Sequence, residues 1–447
     1  MATDLSRKII CNNIGYNLLK PIVLLFFGLS YRKREVVGVE RIPKQGAVIF
    51  APNHTNALMD ALAILDLGRG PKVFVARADI FKRPFVAKLL TFLKIMPINR
   101  KRDGLQTLKD NDKIFQHSTE VLKHHVPFCI LPEGTHRAMH SLLPLGKGVF
   151  RIALRTCEDL GDSLPVYIVP VGIEYGNFFR SRSSILVQVG NPINVSAFVQ
   201  ANPQMDQAVV MNHLKDQLAE AIKNLILYIP DDDHYEAQWE LCNLSCQQRL
   251  KEQGLNPRKL SNRLRVNRQT VAHLQAALQA APSGPIHQLL DAAQDFAQTR
   301  KEKHISMSSV SNPNPIGCLI ARIFTLIALF PLFAVAAPLS APVTLVSWLL
   351  CRNAKDEAFH NSLRYGVFFL LWLLSIPIMV ILFFALIPWE WAIIWLIVGA
   401  VALCLSPILY YDYYRWCRIT LSDIKWLSNK NLHKLKDKCT SLLTSLR

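Results

Sequence analysis

The fold of the N-terminal half is decided by one stretch, Ala47-Val48-Ile49-Phe50-Ala51-Pro52-Asn53-His54-Thr55-Asn56-Ala57-Leu58-Met59-Asp60. Its opening apolar run predicts a buried strand over Ala47–Ala51, and the apolar pattern that follows predicts a helix over Ala57–Asp66. A strand that leads directly into a helix is the repeating unit of an α/β domain. The polar residues between them place His54 at the turn from strand to helix.

Strand and helix patterns continue to alternate from about residue 36 to about residue 230. The candidate strands are Ala47–Ala51, Val73–Ala76, Ile95–Ile98, Phe128–Leu131, Ile168–Ile173 and Ile185–Val189. The candidate helices are Ala57–Asp66, Pro84–Lys94, Asp110–His124 and Lys147–Cys157. This alternation predicts an α/β domain with a mixed, largely parallel sheet that helices flank.

His54 and Asp60 are suited to acid–base chemistry, because a neutral imidazole that a carboxylate orients can take a proton from an alcohol. A helix advances about 100° per residue, so Asp60 reaches His54 only if His54 precedes the helix and folds back over it. Nothing nearby supplies the Cys or Ser of a covalent acyl-enzyme, so the attacking oxygen belongs to the substrate. The alternative is a capping turn with a surface aspartate, since Asn53, Thr55 and Asn56 all suit helix N-termini.

A second polar motif follows another buried run. The sequence Leu131-Pro132-Glu133-Gly134-Thr135 continues directly from Phe128-Cys129-Ile130. Ligands bind at the carboxyl ends of parallel strands in α/β sheets. We therefore expect this loop and His54 to lie at the same edge of the sheet.

Two basic segments are candidates for binding an anion. The run Met96-Pro97-Ile98-Asn99-Arg100-Lys101-Arg102 ends in three cations, and a guanidinium binds phosphate through paired hydrogen bonds. A solvated run of charges is the alternative for this segment. Gly146-Lys147-Gly148 precedes a predicted helix, whose N-terminal amides also attract anions.

The composition points to a membrane. The chain has 447 residues, room for about two or three domains, and its 51 Lys and Arg against 33 Asp and Glu give a net charge of +18. Such an excess indicates an anionic partner, and the 51% hydrophobic content favours an acidic membrane over nucleic acid. The ten cysteines lack paired CxxC spacing, which argues against zinc and against a disulfide framework. They fit a reducing, cytoplasmic environment.

The C-terminal region contains long apolar segments. Gly366–Ile387 and Trp391–Tyr411 are each long enough to span a bilayer, which needs about 20 residues. The tail after Arg415 is basic, which indicates the cytoplasmic side. If the two spans form a hairpin, the Cys351–Tyr365 loop lies on that side too. Ile316–Leu350 would then enter and leave on one face, as two short helices bent at its prolines. The alternative is one long tilted span with the soluble domain outside.

The chain therefore divides into five predicted parts. Residues 1–35 form an interfacial anchor, because the apolar run Leu18–Leu29 is too short to span and is interrupted by Lys20 and Pro21. The remaining parts are the α/β domain at 36–230, a helical connecting domain and linker at 231–315, a membrane region at 316–414, and a basic tail at 415–447. The basic and apolar stretch Phe81–Lys94 fits either a membrane interface or a helix that faces the core.

Four blocks in this order resemble the glycerolipid acyltransferase superfamily, of the glycerol-3-phosphate and 1-acylglycerol-3-phosphate acyltransferase type, over about residues 36–230. The blocks are Asn53-His54 through Asp60, Pro97-Ile98-Asn99-Arg100, Leu131-Pro132-Glu133-Gly134-Thr135 and Ile168-Val169-Pro170-Val171. The common family pattern has four residues between His and Asp, whereas five separate them in this chain. The form H-x-N-x-x-x-D is similar to that of fungal glycerol-3-phosphate acyltransferases and certain bacterial relatives, which also resemble this chain in the appended helical domain and C-terminal spans.

The resemblance implies a membrane-bound O-acyltransferase of phospholipid biosynthesis. His54, oriented by Asp60, would deprotonate a hydroxyl of glycerol 3-phosphate or its monoacyl derivative, which attacks the thioester of acyl-CoA or acyl-carrier protein. Arg100 would hold the acceptor phosphate. The full set expected to bind the acceptor is Asn56, Arg100, Glu133, Gly134, Thr135 and Lys147. No metal ion and no resident cofactor are expected, and the partners are the substrates and the lipid bilayer.

Other functions stay open at this point. Within the same family, the acceptor could be a lysophospholipid. In another class, the chain could be a membrane transporter, although only Arg322 and Glu390 bring charge near its spans, or a catalytically silent scaffold. The expected location is a multi-pass membrane protein with its site facing the cytoplasm, in a bacterial inner membrane first and an endoplasmic reticulum second.

Overall fold

The computed structural model describes residues 2–99, 111–280 and 284–445, and the chain folds into two compact units. The first unit contains Met1–Ile226 together with Ala354–Ser362, which we call the inter-helix segment. The second unit contains Leu227–Asn353 and Leu363–Arg447. The predicted membrane region at 316–414 is thus divided between the two units.

An eight-stranded sheet forms the centre of the first unit, as far as the structure describes it. Its strands are β1 (Tyr31–Val37), β2 (Ala47–Pro52), β3 (Val73–Arg77), β4 (Ile95–Ile98), β5 (Phe128–Cys129), β6 (Val166–Tyr175), β7 (Ser183–Val189) and β8 (Ile193–Asn194). They lie in the order β1-β7-β6-β2-β5-β3-β4, and β8 pairs with β6. β6 runs antiparallel to β7 and β8, while the other pairings are parallel. The predicted mixed, largely parallel sheet is confirmed.

The position of a strand in the sheet explains how readily its sequence pattern predicts it. All six residues of β2 are buried, because β2 lies between β5 and β6 inside the sheet, and such strands are continuous apolar runs. β1 lies at the edge, and its sequence Tyr-Arg-Lys-Arg-Glu-Val-Val alternates between buried and more exposed positions. Its charged residues hide the strand pattern, which is why β1 was not among the predicted strands.

Eight helices accompany the sheet in the described part of the first unit. They are α1 (Ala2–Ile10), α2 (Ile14–Leu29), α3 (Leu58–Leu65), α4 (Pro84–Phe92), α5 (Asn111–Lys123), α6 (Gly148–Leu160), α7 (Val195–Ala201) and α8 (Gln207–Lys223). The four predicted helices correspond to α3–α6. The 16 residues of α2 are fewer than a span needs, and Ile14 and Leu18 on it are 79% and 67% exposed. Phe85 on α4 is 78% exposed, so both helices present apolar surface.

The second unit is helical throughout its described residues. Its elements are α9 (Tyr235–Glu252), α10 (Leu260–Ala280), α11 (Pro285–Glu302), α12 (Met307–Val310), α13 (Pro315–Asn353), α14 (His360–Leu386, from Leu363 onward), α15 (Trp389–Ser428) and α16 (Lys430–Ser445). The predicted basic tail, 415–447, comprises the end of α15 and the whole of α16. Leu432 and Cys439 of α16 are buried in one core with Phe296. The Ser306–Pro315 stretch, which was expected to be a linker, packs against α15. The Ser309 hydroxyl lies 2.7 Å from that of Ser422.

Three helices of the described residues, α13, α14 and α15, are long and apolar enough to cross a membrane. Helix α13 is continuous despite its internal prolines, yet its contacts with α15 require a bend. The Tyr413 hydroxyl donates to Leu326 O at 3.3 Å, and Ser347 is a neighbour of Tyr411. A straight helix would separate residues 326 and 347 by about 31 Å, so α13 is bent, as helices are at proline. The return of α13 to one membrane face stays a prediction.

Candidate active site

Sheet topology places the two polar motifs at one edge of the first unit. His54 follows β2, and Glu133 follows β5. These strands are neighbours and parallel, with Ile49 paired to Phe128, so their carboxyl ends open on the same side. This is the edge where α/β sheets bind ligands.

His54 and Asp60 form a hydrogen-bonded pair, with Nδ1 of the ring 2.8 Å from Oδ2 of the carboxylate. The side chain of Asp60 is fully buried, whereas that of His54 is 13% exposed. Because Nδ1 is held by the carboxylate, Nε2 is the nitrogen available to a substrate. The contact that the sequence interpretation required is therefore present.

Asp60 is itself held by three further donors. Its Oδ2 accepts from the backbone N–H groups of Thr55 at 2.8 Å and Asn56 at 2.7 Å. Its Oδ1 accepts from the Tyr175 hydroxyl at 2.6 Å. Burial, followed by the charge of Asp60, raises the pKa of Tyr175 well above its usual value, so this phenol stays neutral and donates. The buried carboxylate is thus oriented and fully hydrogen-bonded.

The alternative interpretation, in which a polar side chain of this turn caps α3, is wrong. Ala57 occupies the N-cap position with φ 45° and ψ −120°, and no side chain caps the helix there. Asn53 is committed elsewhere, because its amide donates to Ile173 O at 3.1 Å and accepts from Ile173 N at 2.7 Å. The N–H of Leu58, in the first turn, donates to the hydroxyl of Ser362 at 3.2 Å.

Glu133 supports the backbone of His54. Its Oε1 accepts from the N–H of His54 at 2.6 Å, and its Oε2 accepts from the N–H of Leu143 at 2.8 Å. Burial raises the pKa of Glu133 to about 7, although the two N–H donors act in the opposite direction. Both carboxylate oxygens are therefore engaged by the protein, and a direct contact of Glu133 with the acceptor stays a prediction.

Gly134, Thr135 and Lys147, which were also predicted to bind the acceptor, are at least partly exposed. Gly134 adopts φ 66° in an exposed turn, a conformation that suits glycine, and the next residue, Thr135, is partly exposed. The N–H of Gly146 donates to Pro132 O at 2.7 Å, so the exposed Lys147 at the start of α6 adjoins the same loop.

Asn56 and Arg100 complete the set of predicted site residues. Asn56 is buried, and its side-chain amide donates to Phe178 O at 3.0 Å. Arg100 lies outside the described residues, so its predicted role stays a prediction. Among the residues that the structure describes, no group of three or more His, Cys, Asp or Glu side chains is placed to hold a metal ion.

The structure adds His136 and the inter-helix segment to the site. The His136 ring lies 5.3 Å from that of His54 in an edge-on arrangement. Its Nε2 is 2.8 Å from Oδ2 of Asp356, and its ring centroid is 4.8 Å from that of Phe359. The side-chain amide of Asn361 donates to Phe178 O at 2.7 Å, the same carbonyl that Asn56 contacts. His136 directly follows the Glu-Gly-Thr motif, but no local pattern reveals partners more than 200 residues away.

The part of the chain that contains this site is similar to known acyltransferases. The family model described as Acyltransferase matches residues 33–174. The 1-acyl-sn-glycerol-3-phosphate acyltransferase of Borreliella burgdorferi is 24% identical over 214 residues, which cover 48% of this chain and 78% of that protein. Glycerol-3-phosphate O-acyltransferase 1 of Saccharomyces cerevisiae is 30% identical over 125 residues, covering 27% of this chain and 16% of that protein.

Two further similarities fall in the same group. The 1-acyl-sn-glycerol-3-phosphate acyltransferase BAT2, chloroplastic, of Brassica napus is 26% identical over 129 residues, which cover 28% of this chain and 35% of that protein. The crystal structure of the 1-acyl-sn-glycerophosphate (LPA) acyltransferase PlsC from Thermotoga maritima covers 49% of this chain and 86% of that one, at 19% identity and a TM-score of 0.34. Residues 33–174 therefore form an O-acyltransferase domain, similar to that of 1-acylglycerol-3-phosphate and glycerol-3-phosphate acyltransferases.

Proposed function

We propose that this protein transfers a fatty acyl group from a thioester donor to a hydroxyl of glycerol 3-phosphate or acylglycerol 3-phosphate. The donor is acyl-CoA or acyl-carrier protein, and the product is a phospholipid precursor. The observation that carries the proposal is the contact between His54 Nδ1 and Asp60 Oδ2 at 2.8 Å, located at the ligand-binding edge of an acyltransferase domain. The substrates named for the bacterial, yeast and plant relatives support the choice of acceptor.

The proposed reaction is a single displacement. Nε2 of His54 takes the proton of the acceptor hydroxyl, and Asp60 stabilises the imidazolium that forms. The acceptor oxygen bonds to the thioester carbonyl carbon, the carbon–sulfur bond breaks, and the leaving thiol regains the proton from His54. The His54 ring makes no hydrogen bond to a serine or cysteine among the described residues, and its main-chain N–H is held by Glu133. This arrangement supports attack by the substrate rather than through an acyl-enzyme.

The acceptor site is proposed to lie around the loop that follows β5. Gly134 and Thr135 are at least partly exposed there, and Lys147 adjoins the same loop, so a phosphate bound nearby would meet backbone amides and a cation. Arg100 is proposed as a further phosphate ligand. Asn56 is proposed to act indirectly, by holding the Phe178 carbonyl at 3.0 Å.

A lysophospholipid acceptor is the second candidate. It is favoured by the exposed apolar side chains of α2 and α4, such as Leu18 and Phe85, which suit contact with a bilayer that holds a lipid acceptor. The same surface also suits release of an acylated product into a membrane. Acceptor preference therefore has to be measured directly.

We also propose that the protein is a multi-pass membrane protein whose site faces the cytoplasm, in a bacterial inner membrane or, second, an endoplasmic reticulum. The inter-helix segment joins α13 to α14 and belongs to the same compact unit as His54. The site is then on the membrane side where α13 ends and α14 begins. The basic residues of α16 support a cytoplasmic side.

The function is tested with purified protein in lipid vesicles and a labelled acyl thioester. We expect label to enter glycerol 3-phosphate or its monoacyl form, and the variant His54→Ala to lose roughly 10²–10⁴-fold in kcat, because a positioned general base contributes about that factor. His124→Ala removes an exposed histidine of the same unit and serves as the matched control.

The outcomes separate the candidates. Preferential labelling of lysophospholipids would select the second candidate. Wild-type kcat in His54→Ala would exclude the proposed base, and a comparable loss in His124→Ala would show that the effect is not specific to the site.

A further inference from the structure

The inter-helix segment makes repeated contacts with the surroundings of His54. Four of its side chains take part: Asp356, Phe359, Asn361 and Ser362. Ser362 accepts from the N–H of Leu58, in the first turn of the helix that contains Asp60. A connection between two apolar helices does not need such contacts for its own folding, so they point to a role in the site.

The contact of Asp356 with His136 has the chemistry of an ion pair. Its two atoms, Oδ2 and Nε2, are 2.8 Å apart, and the side chain of His136 is only 14% exposed. Burial acts to raise the pKa of Asp356. The N–H of Ala358 and the ring of His136 outweigh burial and hold this pKa below its usual value. The contact therefore fixes the orientation of the His136 ring.

His136 is also well placed to meet a substrate. Its ring lies 5.3 Å from the ring of His54, edge-on, and packs at 4.8 Å against Phe359. With Nε2 engaged by Asp356, Nδ1 is the ring nitrogen left for a substrate. When an imidazole carries its second proton both nitrogens donate, and such a donor beside the base would bind a phosphate oxygen.

We propose that the inter-helix segment is a functional part of the acyltransferase site, in which Asp356 is a positioning residue that holds the His136 ring beside His54 to bind a substrate phosphate. This inference rests on the proposed acyltransferase function. The phosphate belongs either to the acceptor or to the acyl-CoA donor, and kinetics with each substrate distinguish the two sources. The connection between α13 and α14 thereby takes part in substrate binding.

The test uses the full-length protein in vesicles with the variants Asp356→Asn and His136→Gln. Glu357→Gln removes a neighbouring exposed carboxylate and is the matched control. We expect Asp356→Asn and His136→Gln to raise KM for one phosphate-bearing substrate by about tenfold, the scale of one charge-assisted hydrogen bond. We expect kcat to stay within about threefold of the wild-type value, since the base itself is intact. Glu357→Gln should leave both constants unchanged.

The double variant Asp356→Asn/His136→Gln provides the decisive comparison. If Asp356 acts through His136, the double variant has the same KM as His136→Gln alone. A rise in acceptor KM identifies the acceptor phosphate, and a rise in acyl-CoA KM identifies the donor phosphate.

Two results would overturn the inference. One is an unchanged KM for both substrates in Asp356→Asn. The other is a loss confined to kcat and thermal stability, which would indicate a purely structural contact. Both results require a wild-type protein that transfers acyl groups. Failure of the proposed function is a different outcome, in which the wild-type protein labels no acceptor. The inference would fall with it.

Discussion

Asp60 makes four of the hydrogen bonds that define the site. It accepts hydrogen bonds from the His54 ring, the Thr55 and Asn56 amides and the Tyr175 hydroxyl. A buried carboxylate is stable only when its oxygens are hydrogen-bonded in this way. The same side chain orients the ring that is proposed to remove the substrate proton, so folding stability and the proposed chemistry depend on one residue.

Glu133 leads to a prediction about pH at the residue scale. Its pKa is raised to about 7 in the folded protein, above the value of about 4.3 expected in an unfolded chain. Between these values the folded state holds a proton that the unfolded state has lost, so the free energy of unfolding falls as pH rises from about 4.5 to about 7. Glu133→Gln, which does not titrate, should flatten this decline.

The measurement is the thermal unfolding midpoint in detergent, recorded from about pH 4.5 to about pH 8. Glu40→Gln changes an exposed glutamate and should reproduce the wild-type curve. Parallel curves for the wild type and Glu133→Gln would contradict the prediction.

At the scale of elements, the turn between β2 and α3 explains the spacing of His54 and Asp60. Five residues separate them instead of four, and the turn accommodates this number with Ala57 at φ 45° and ψ −120°. Side chains rarely adopt this backbone conformation, because Cβ meets the neighbouring backbone. The turn brings Asp60, in the first turn of α3, to face the ring of His54.

We expect Ala57→Gly to stabilise the protein, because glycine adopts this conformation without strain. Relief of strain is worth about 1–3 kcal/mol, and the extra freedom of glycine in the unfolded chain offsets about 0.4–1 kcal/mol. The free energy of unfolding should therefore rise by up to about 2 kcal/mol, measured by denaturant unfolding.

The matched control is Ala61→Gly, in the right-handed interior of α3. It should destabilise the protein by about 1 kcal/mol. Equal destabilisation by both substitutions would show that Ala57 is not strained.

At the scale of the whole molecule, the chain alternates between its two units. It leaves the first unit after Ile226, returns for Ala354–Ser362, and leaves again. The return occurs between two helices long and apolar enough to cross a membrane. The acyltransferase domain is therefore completed by residues that the sequence places among the membrane spans.

This arrangement predicts a membrane topology. The C-terminus should lie on the side of the site, and the connection at Pro388 between α14 and α15 on the opposite side. The measurement inserts one epitope tag after the C-terminus and another before Pro388, and compares their digestion by protease in sealed vesicles. Cleavage of both tags from the same side would contradict the hairpin, and acyl transfer by each tagged protein serves as the folding control.

The sequence by itself determined the features that depend on local pattern. Apolar runs and periodicity predicted β2, the helices α3–α6 and the long apolar segments, because each reflects how neighbouring residues are buried. The chain direction of parallel strands then placed His54 and Glu133 at one edge. The edge strand β1 escaped prediction because its charges obscure the pattern.

Only the tertiary structure decided which distant groups complete the site. Tyr175 reaches Asp60 because β6 lies beside β2, and Asp356 reaches His136 across 220 residues of sequence. The supposed capping residues also found other partners, as Asn53 bonds to β6. Such contacts depend on strand order and packing of the complete chain, and a local pattern carries no information about either.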